Sequence, residues 1–344
     1  MSTSDPGTPS ERRLIEIIRS TVRRAPGVRV GIGDDCAVLE LGGKSLLLAT
    51  TDLLIEDVHF RRRWANPADI GWKSLAVNVS DIAAMGGRPR WALIALACPE
   101  TVQMDEAQAF YGGLQALAAE EDVVVVGGDT CASPRGWIVN VTLLGEAIAP
   151  PILRSTARVG DVVAVTGSLG RSTAGLAVLE APQAPTGIAA DVLADVTTAH
   201  LRPRPRTREG QWLAQAGGVT AMMDLSDGLA TDLGHICEES RMGARVELRR
   251  VPVDASVHAV ALVLGRDSLI WATGGGEDYE LLLTCEPGAF DRLADGLAGA
   301  TGTRLTAIGE VVGAAEGIRY LDACGEVVPV GPGFEHFVTG RARA

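Results

Sequence analysis

The sequence predicts a two-domain protein of the α+β class, with α/β alternation in both halves. The 344 residues exceed the ~100–200 expected of one domain. Short apolar runs typical of buried strands alternate with segments whose apolar residues recur at helical spacing. Residues 147–153 contain Pro150-Pro151 and are the best candidate for a linker. We therefore expect a disordered polar leader at 1–10, a first domain at 11–149 and a second at 150–344.

Apolar periodicity predicts the elements of the first half in order. Residues 11–24 place four aliphatic side chains on one helical face, which predicts a helix. Residues 71–85 show a stronger helical periodicity of apolar side chains, and Asp81 lies on the face opposite them. A third helix is expected at 105–121. Strands are expected at 46–51, ending in Asp52, at 91–98, ended by Pro99, at 123–126, running into the glycines 127–128, and at 137–144.

The second half repeats this alternation. A strand at 161–166 precedes a loop rich in Pro and Ala at 181–187 and a helix near 207–216. Residues 222–224 enter a loop and then a helix that extends to about 240. Further strands are expected near 244–248, 280–284 and 306–312, with a helix near 288–299.

Charge and cysteine content exclude several function classes. With 31 basic and 43 acidic residues the net charge is −12, which disfavours nucleic acid and anionic membranes as partners. No apolar run approaches the ~20 residues that span a bilayer, and the N-terminal residues lack the apolar region of a signal peptide. The six cysteines are scattered, which disfavours a disulfide framework or a zinc ribbon. We predict a cytoplasmic protein.

Lysine is nearly absent. Only Lys44 and Lys73 occur among the 31 basic residues. Almost any cationic clamp on an anion must therefore be arginine or a metal ion.

Carboxylates follow glycine turns or predicted strands at several separate points. They are Asp34-Asp35, Asp52, Asp81, Asp129, Asp224, Asp227 and Glu277-Asp278. Each one alone is compatible with a simple turn or a helix cap. Together they predict a convergent oxygen-rich site, which would need cations to offset its repulsion and suits Mg²⁺ with phosphate oxygens. The pattern indicates Mg²⁺-dependent phosphate chemistry.

Other phosphate-binding motifs are incomplete. Gly43-Lys44-Ser45 matches the end of a P-loop, but Val38 stands at the leading glycine position. Gly31-Ile32-Gly33 is followed by two aspartates instead of the third glycine of a dinucleotide fingerprint. A Walker-type ATPase is therefore excluded.

Nine segments, taken together, resemble the thiamine-monophosphate kinase family, which belongs to a superfamily with aminoimidazole ribonucleotide synthetase and selenophosphate synthetase. They are GIGDDCAVL (31–39), TTDLLIEDVHF (50–60), GWKSLAVNVSDIAAMGGRP (71–89), GGDT (127–130), LRS with GD (153–161), LRPRPR (201–206), MDLSDGLATDLGHI (223–236), GGGEDYELLLT (274–284) and GFEHF (333–337). The resemblance implies an aminoimidazole ribonucleotide synthetase-like fold, with an N-terminal mixed sheet and a C-terminal α/β domain.

The resemblance also implies a reaction, ligands and site residues. ATP would donate its γ-phosphoryl group directly and in line to thiamine monophosphate, with several Mg²⁺ ions, in a homodimer. Asp52, Asp129 and Arg154 would be catalytic. Metal ligands would be Asp35, Thr50, Thr51, Asp52, Asp81, Asp129, Asp224 and Asp227. Nucleotide contacts would come from Gly128, Asp129, Arg154, Ser226 and Tyr111, and contacts to thiamine from His59, Glu277 and Phe334.

The chain departs from the family pattern after Asp129. Thr-Arg-Gly usually follows Asp-Thr there, whereas this chain has an apparently longer segment in which Arg135 would supply the arginine from another position. Two alternatives remain. One is another ATP-dependent synthetase of the superfamily; the other is a non-catalytic nucleotide- or metal-binding protein, which would be expected to have lost some of these carboxylates.

Overall fold

The computed structural model describes residues 15, 16, 19, 26–42, 46–183, 185–331, 333 and 334. It contains two sheets, each with its own helices, and so confirms the α+β class. The predicted leader and most of the predicted helix at 11–24 lie outside the described residues, although residues 15, 16 and 19 are helical. The short connection at 148–153 separates the last strand of the first sheet from the second half.

The first sheet is mixed. Its strands are β1 (Val28–Val30), β2 (Ala37–Glu40), β3 (Leu46–Ile55), β4 (Gly87–Cys98), β5 (Val124–Ala132) and β6 (Ile138–Ala147). They lie in the order β1-β2-β3-β6-β4-β5, antiparallel except for the parallel pair β4–β5. Helices α1 (Pro67–Ala84) and α2 (Met104–Glu120) pack with one face of this sheet into one core.

The second sheet follows the order β13-β12-β9-β11-β7-β10-β8. Its strands are β7 (Val162–Thr166), β8 (Val219–Asp224), β9 (Met242–Glu247), β10 (Leu281–Cys285), β11 (Leu305–Gly313), β12 (Ile318–Leu321) and β13 (Val327–Val328). Its helices are α3 (Arg171–Glu180), α4 (Ala190–Leu201), α5 (Thr207–Ala216), α6 (Leu229–Ser240), α7 (Ala255–Val263), α8 (Ser268–Gly274) and α9 (Phe290–Thr301). Helices α3, α4, α7 and α8 have no counterpart among the predicted elements.

Helix α1 joins the two halves. It begins at Asn66, whose side-chain oxygen accepts a hydrogen bond from the Asp69 N–H at 2.9 Å, and Pro67 follows at the first helical position. The Trp72 indole donates to the Pro203 carbonyl at 2.8 Å, and the backbone of Ala83 touches Gly210 of α5. Because sheet, helix and second domain all pack on it, α1 has almost no exposed face. Its polar residues therefore face protein and not solvent.

Two strands are longer than predicted, and this changes the placement of two carboxylates. Asp52 lies inside β3, paired with Val141, and does not end the strand. Asp129 lies inside β5, because the strand continues through both glycines and beyond. Gly128 has φ +157°, and a Cβ there would lie 1.9 Å from the Ile94 carbonyl oxygen, so glycine is required for this close approach.

The register divides the polar residues of β3 between two faces. Thr50 and Asp52 pair with the buried residues Leu143 and Val141, on the face covered by helices. Thr51 lies on the opposite, open face, since successive side chains of a strand alternate. Leu53 and Leu93 share that open face and are 47% and 40% exposed.

Within the described residues, no single helix is long and apolar enough to cross a membrane. One pair, α7 with α8, meets the length and composition test only when taken together, and it bends by 119° between its two helices.

Candidate active site

Four of the predicted metal ligands gather where the two domains meet. Carboxylate oxygens of Asp35, Asp81 and Asp224 lie within 4.8 Å of one another. They come from the loop before β2, from α1 and from the end of β8. Asp52 adds its charge from β3, since it acts electrostatically on both Asp81 and Asp224. Four of the carboxylates predicted from separated motifs therefore form one cluster.

Hydroxyl groups fix the orientation of this cluster. Ser80 Oγ donates to Asp224 Oδ2 at 2.6 Å across the domain boundary, and Thr50 Oγ1 donates to Asp81. Ser80 was not among the predicted site residues, although it precedes Asp81 in the sequence. Thr50, predicted as a ligand, contacts the cluster through Asp81.

Arg154 is the cation beside the cluster. Its Nε and a terminal nitrogen lie 3.1 and 2.5 Å from the two carboxylate oxygens of Asp35, whose side chain is 0% exposed. The Arg154 backbone N–H donates to Asp34 Oδ2 at 3.1 Å, and Ser240 Oγ donates to its carbonyl at 2.8 Å. The contacts with Asp34 and Ser240 fix the backbone of Arg154, and the bidentate pair with Asp35 holds its guanidinium in place.

The electrostatics of the cluster call for a further positive charge. Burial, followed by repulsion from Asp35, raises the pKa of Asp52 to about 6, and the same two causes raise the pKa of Asp34 to about 7. Burial and neighbouring carboxylates also raise the pKa values of Asp81 and Asp224 well above the ordinary range. All donors are oxygens, and one arginine does not balance them, so the residues present fit Mg²⁺.

We expect the free energy of unfolding without Mg²⁺ to fall as the pH rises from about 4 to 8. The folded state binds more protons than the unfolded state in this window, because the folded pKa values lie above 3.8. For Asp52, the rise of the pKa to about 6 lowers the free energy of unfolding at high pH by roughly 2–3 kcal/mol. Urea unfolding with and without Mg²⁺ at each pH isolates this contribution, and Mg²⁺ should flatten the profile. Equal slopes in both conditions would contradict it.

Asp129 is not part of the cluster in this chain. It is exposed on the edge strand β5. In the sheet, β6 and β4 lie between β3 and β5, and the pairing runs from Asp52 through Val141 and Ile94 to Gly128. At the ordinary spacing between neighbouring strands, β5 is therefore about 14 Å from β3. Asp129 instead lines an open cavity of about 470 Å³ together with Gly128 and Tyr111. Three predicted nucleotide-binding residues therefore share one cavity, away from the cluster.

Three loops meet at the predicted thiamine end. The Glu277 N–H donates to the Ser226 carbonyl at 2.7 Å, and the Phe334 N–H donates to the Asp227 carbonyl at 2.9 Å. Glu277 has φ +67°, a left-handed conformation that is costly for a residue with a side chain and is common at functional sites. The neighbouring Asp278 anchors the loop, since its carboxylate accepts from the N–H groups of Gly170 and Ser172 at 2.6 and 3.1 Å.

His59 and Phe334 occupy the same region. His59 Nδ1 accepts a hydrogen bond from the Ile55 N–H at 3.0 Å, so a neutral ring carries its proton on Nε2. His59 is close enough to Glu277 to lower the pKa of that carboxyl. Phe334 is 46% exposed and presents an aromatic surface. His336, in the same predicted motif, lies outside the described residues.

Sequence reasoning missed two side chains that contact Glu277. Lys73 Nζ lies 2.8 Å from Glu277 Oε1, and His200 Nδ1 lies 3.3 Å from Glu277 Oε2. Lys73 is therefore an exception to the expectation that almost any cation acting on an anion would be arginine or a metal ion. The signal was present: Lys73 is one of two lysines, and it stands two helical turns before Ser80 and Asp81.

A second group of possible metal-binding side chains lies on α6 and the preceding loop. Ligand atoms of Asp227, Asp232 and His235 lie within 4.8 Å of one another. Asp232 Oδ2 accepts from the N–H groups of Asp227 and Gly228 at 3.2 and 3.0 Å. Asp227 is thus close to the carboxylate of Asp232 and the imidazole of His235. It lies three residues after Asp224 in the sequence, but it belongs to a different group of side chains from the main cluster.

Comparison with known proteins shows the family of this chain. The models of the N-terminal and C-terminal domains of AIR synthase related proteins match residues 33–147 and 158–322. The thiamine-monophosphate kinase of Escherichia coli (strain K12) is 38% identical over 318 residues, which are 91% of this chain and 93% of that protein. The solved complex of AaThiL with AMPPCP and TMP is 32% identical, covers 95% of this chain and 97% of its own, and superposes with a TM-score of 0.82. The thiamine-monophosphate kinase structure from Stenotrophomonas maltophilia K279a is 35% identical, covers 92% and 98%, and has a TM-score of 0.74. The chain belongs to the thiamine-monophosphate kinase family.

Proposed function

We propose that this chain transfers the γ-phosphoryl group of ATP to the phosphate of thiamine monophosphate, giving thiamine diphosphate and ADP. The observation that carries the proposal is the buried cluster of Asp35, Asp52, Asp81 and Asp224 beside Arg154, in a chain of this family. Two phosphate groups repel each other, so the reaction needs charge neutralisation and positioning more than covalent chemistry from the protein.

The four clustered carboxylates would hold Mg²⁺ with Thr50 beside them, whereas the Thr51 hydroxyl lies on the opposite face of β3, 3.0 Å from Thr142 Oγ1. Bound there, Mg²⁺ neutralises phosphate oxygens and orients both substrates. Arg154 would contact the nucleotide phosphates from its fixed position beside Asp35. Ser226 and Asp227, in the loop between β8 and α6, lie at the same domain boundary and connect the phosphate end to the thiamine end.

The thiamine end would lie against the loops of Glu277, Phe334 and His59. Phe334 offers an exposed ring on which a flat heterocycle could stack. His59 presents its Nε2 proton, because Nδ1 is already occupied by the backbone. Glu277 offers carboxylate oxygens to N–H groups of the aminopyrimidine.

We further propose a homodimer in which a second copy covers the open face of the first sheet. That face exposes Leu53 and Leu93, and β5 is a nine-residue edge strand with one unpaired side. Thr51 and Asp129 lie on this open face in the register. A second copy would therefore bring its own Asp129 toward Thr51, whose neighbour in β3 is Asp52 of the acidic cluster, and would explain why Asp129 lies far from the cluster within one chain.

Mixed dimers test this arrangement. Asp81→Asn and Asp129→Asn homodimers should each be nearly inactive. After dissociation and random reassociation in equal amounts, about a quarter of wild-type activity should return, because half of the dimers are mixed and each contains one intact site. Mixing Asp81→Asn with Asp52→Asn is the control, since both residues belong to one cluster and no activity should return. Equal recovery in both mixtures, or none in either, would contradict the shared site.

The proposed location is the cytoplasm. All six cysteines are free in the structure, as is usual in a reducing compartment.

The reaction itself is tested with purified protein, ATP, Mg²⁺ and thiamine monophosphate. Thiamine diphosphate and ADP should form in equal amounts, and omission of thiamine monophosphate should stop ADP formation. Hydrolysis of ATP that does not depend on thiamine monophosphate would refute the proposal and favour another acceptor.

A further inference from the structure

A charged network behind Glu277 has no role in the phosphoryl transfer outlined above. It consists of Lys73 on α1, Glu277 on the loop before β10 and His200 on α4. The side chain of Lys73 is 4% exposed and that of His200 5% exposed, whereas Glu277 is 27% exposed. Glu277 can therefore touch a ligand, while its two partners act from behind it.

We propose that Lys73 and His200 are positioning residues that keep the Glu277 carboxylate ionised and oriented, so that it recognises thiamine monophosphate as a fixed hydrogen-bond acceptor and not as a counter-ion for its positive charge. This rests on the proposed function and deepens it. It states how the thiamine end of the same site obtains its selectivity.

The backbone of Glu277 is fixed, but its side chain needs support. The Glu277 N–H is held by Ser226 at 2.7 Å, and Asp278 ties the loop to the N-terminus of α3. A glutamate side chain still has three rotatable bonds. Lys73 Nζ donates to Oε1, and the His200 ring lies against Oε2, with its Nδ1 also 3.0 Å from the Ser172 hydroxyl. These two contacts restrict the rotations and leave lone pairs of the carboxylate for a ligand.

The positive charge of Lys73 balances the negative charge of the Glu277 carboxylate. Burial alone would raise the pKa of its carboxyl, but the attraction of Lys73, first among the opposing causes, brings it below its usual value. Burial, followed by Lys73, lowers the pKa of His200 to about 3, so this imidazole is neutral near pH 7. The buried phenol of Tyr279 also faces the carboxylate, and His59 lies near it. Lys73 supplies a full positive charge next to Glu277, so the Lys73–Glu277 pair is neutral overall.

A neutral pair attracts a cationic thiazolium only weakly from a distance. An oriented carboxylate can still accept a hydrogen bond from the exocyclic amine of an aminopyrimidine. The site would then select by hydrogen-bond geometry, which discriminates strongly against analogues that lack the donor.

The test is the pH profile of kcat/KM for thiamine monophosphate in Lys73→Met. Without the ammonium, burial raises the pKa of Glu277, so activity should be lost as the pH is lowered, with a loss roughly tenfold larger at pH 6 than at pH 8.5. The KM for ATP should not change. Lys73→Arg keeps the cation and should restore the wild-type profile. His200→Gln should raise the KM for thiamine monophosphate without moving the acid limb, because the neutral ring supplies no charge.

A second measurement remains informative if Lys73→Met folds poorly. Lys73→Met/Glu277→Gln removes both charges, so it should recover stability and lose the pH dependence while its KM for thiamine monophosphate stays high. The Glu277 titration can also be followed directly by carboxyl-carbon NMR without turnover, with Glu277→Gln identifying the resonance.

An unchanged acid limb and an unchanged Glu277 titration in Lys73→Met would overturn the inference. A parallel rise in the KM for ATP would also overturn it, because it would indicate a general structural role. Absence of thiamine diphosphate formation by the wild type would instead refute the proposed function, and the NMR titration would still decide whether Lys73 sets the charge of Glu277.

Discussion

Asp81→Asn is expected to lower kcat by about 10³-fold or more and to raise the melting temperature measured without Mg²⁺. Asp81 interacts with Asp52, Asp224 and Asp35, so its neutralisation removes more repulsion than a change at the edge of the cluster would. The hydrogen bond from Thr50 can persist, because Asn keeps a carbonyl oxygen as acceptor. Loss of one carboxylate from the metal cluster weakens neutralisation of the phosphates, worth several kcal/mol of transition-state stabilisation.

The melting temperature and the turnover rate must be measured on the same preparation. Asp254→Asn is the matched control, because Asp254 caps α7 outside the site and Asn caps helices equally well. It should leave both quantities unchanged. If Asp81→Asn retained more than a tenth of the activity, or melted at a lower temperature without Mg²⁺, the proposed role of the cluster would be wrong.

Arg154→Met is expected to cost about 3–5 kcal/mol in the free energy of unfolding without Mg²⁺ at pH 8. The change leaves the fully buried Asp35 carboxylate without the cation that contacts both of its oxygens. Urea unfolding of the wild type and the variant at pH 8 checks this prediction.

Two further variants separate the buried pair from a general effect of arginine loss. Arg245→Met breaks an exposed pair with Glu310 and should change stability by less than about 1 kcal/mol. The double variant Arg154→Met/Asp35→Asn should recover most of the stability lost in Arg154→Met, because the uncompensated charge is gone. Additive losses in the double variant would indicate that the two side chains act independently.

Periodicity and motif spacing predicted the fold class and most strands and helices of the described chain. They also predicted that aspartates from separate segments converge. The reason is that strand alternation and helical spacing are local properties, and that carboxylates placed in turns near strand ends can only be tolerated together if something neutralises them.

Local patterns could not predict the orientation of Asp129 or the partners of Glu277. A shift in register near Val126 alters the pairing of β5 with β4, and a shift of one residue moves a side chain to the other face of a sheet. The spacing of Lys73 from Ser80 and Asp81 indicates a shared helix face but not a contact with Glu277, and the sequence context of His200 does not distinguish a solvent-facing residue from a buried one. Their contacts with Glu277 arise from packing between α1, α4 and a distant loop.

We propose that carboxylates from both domains form a single Mg²⁺ site for two phosphate groups. Crystals grown with a non-hydrolysable ATP analogue and Mn²⁺ in place of Mg²⁺ would locate the cations by anomalous scattering. We expect anomalous peaks between Asp35, Asp81 and Asp224, next to the analogue's phosphate oxygens. Peaks confined to other surfaces, with these three carboxylates bound to no cation while the analogue is present, would contradict it.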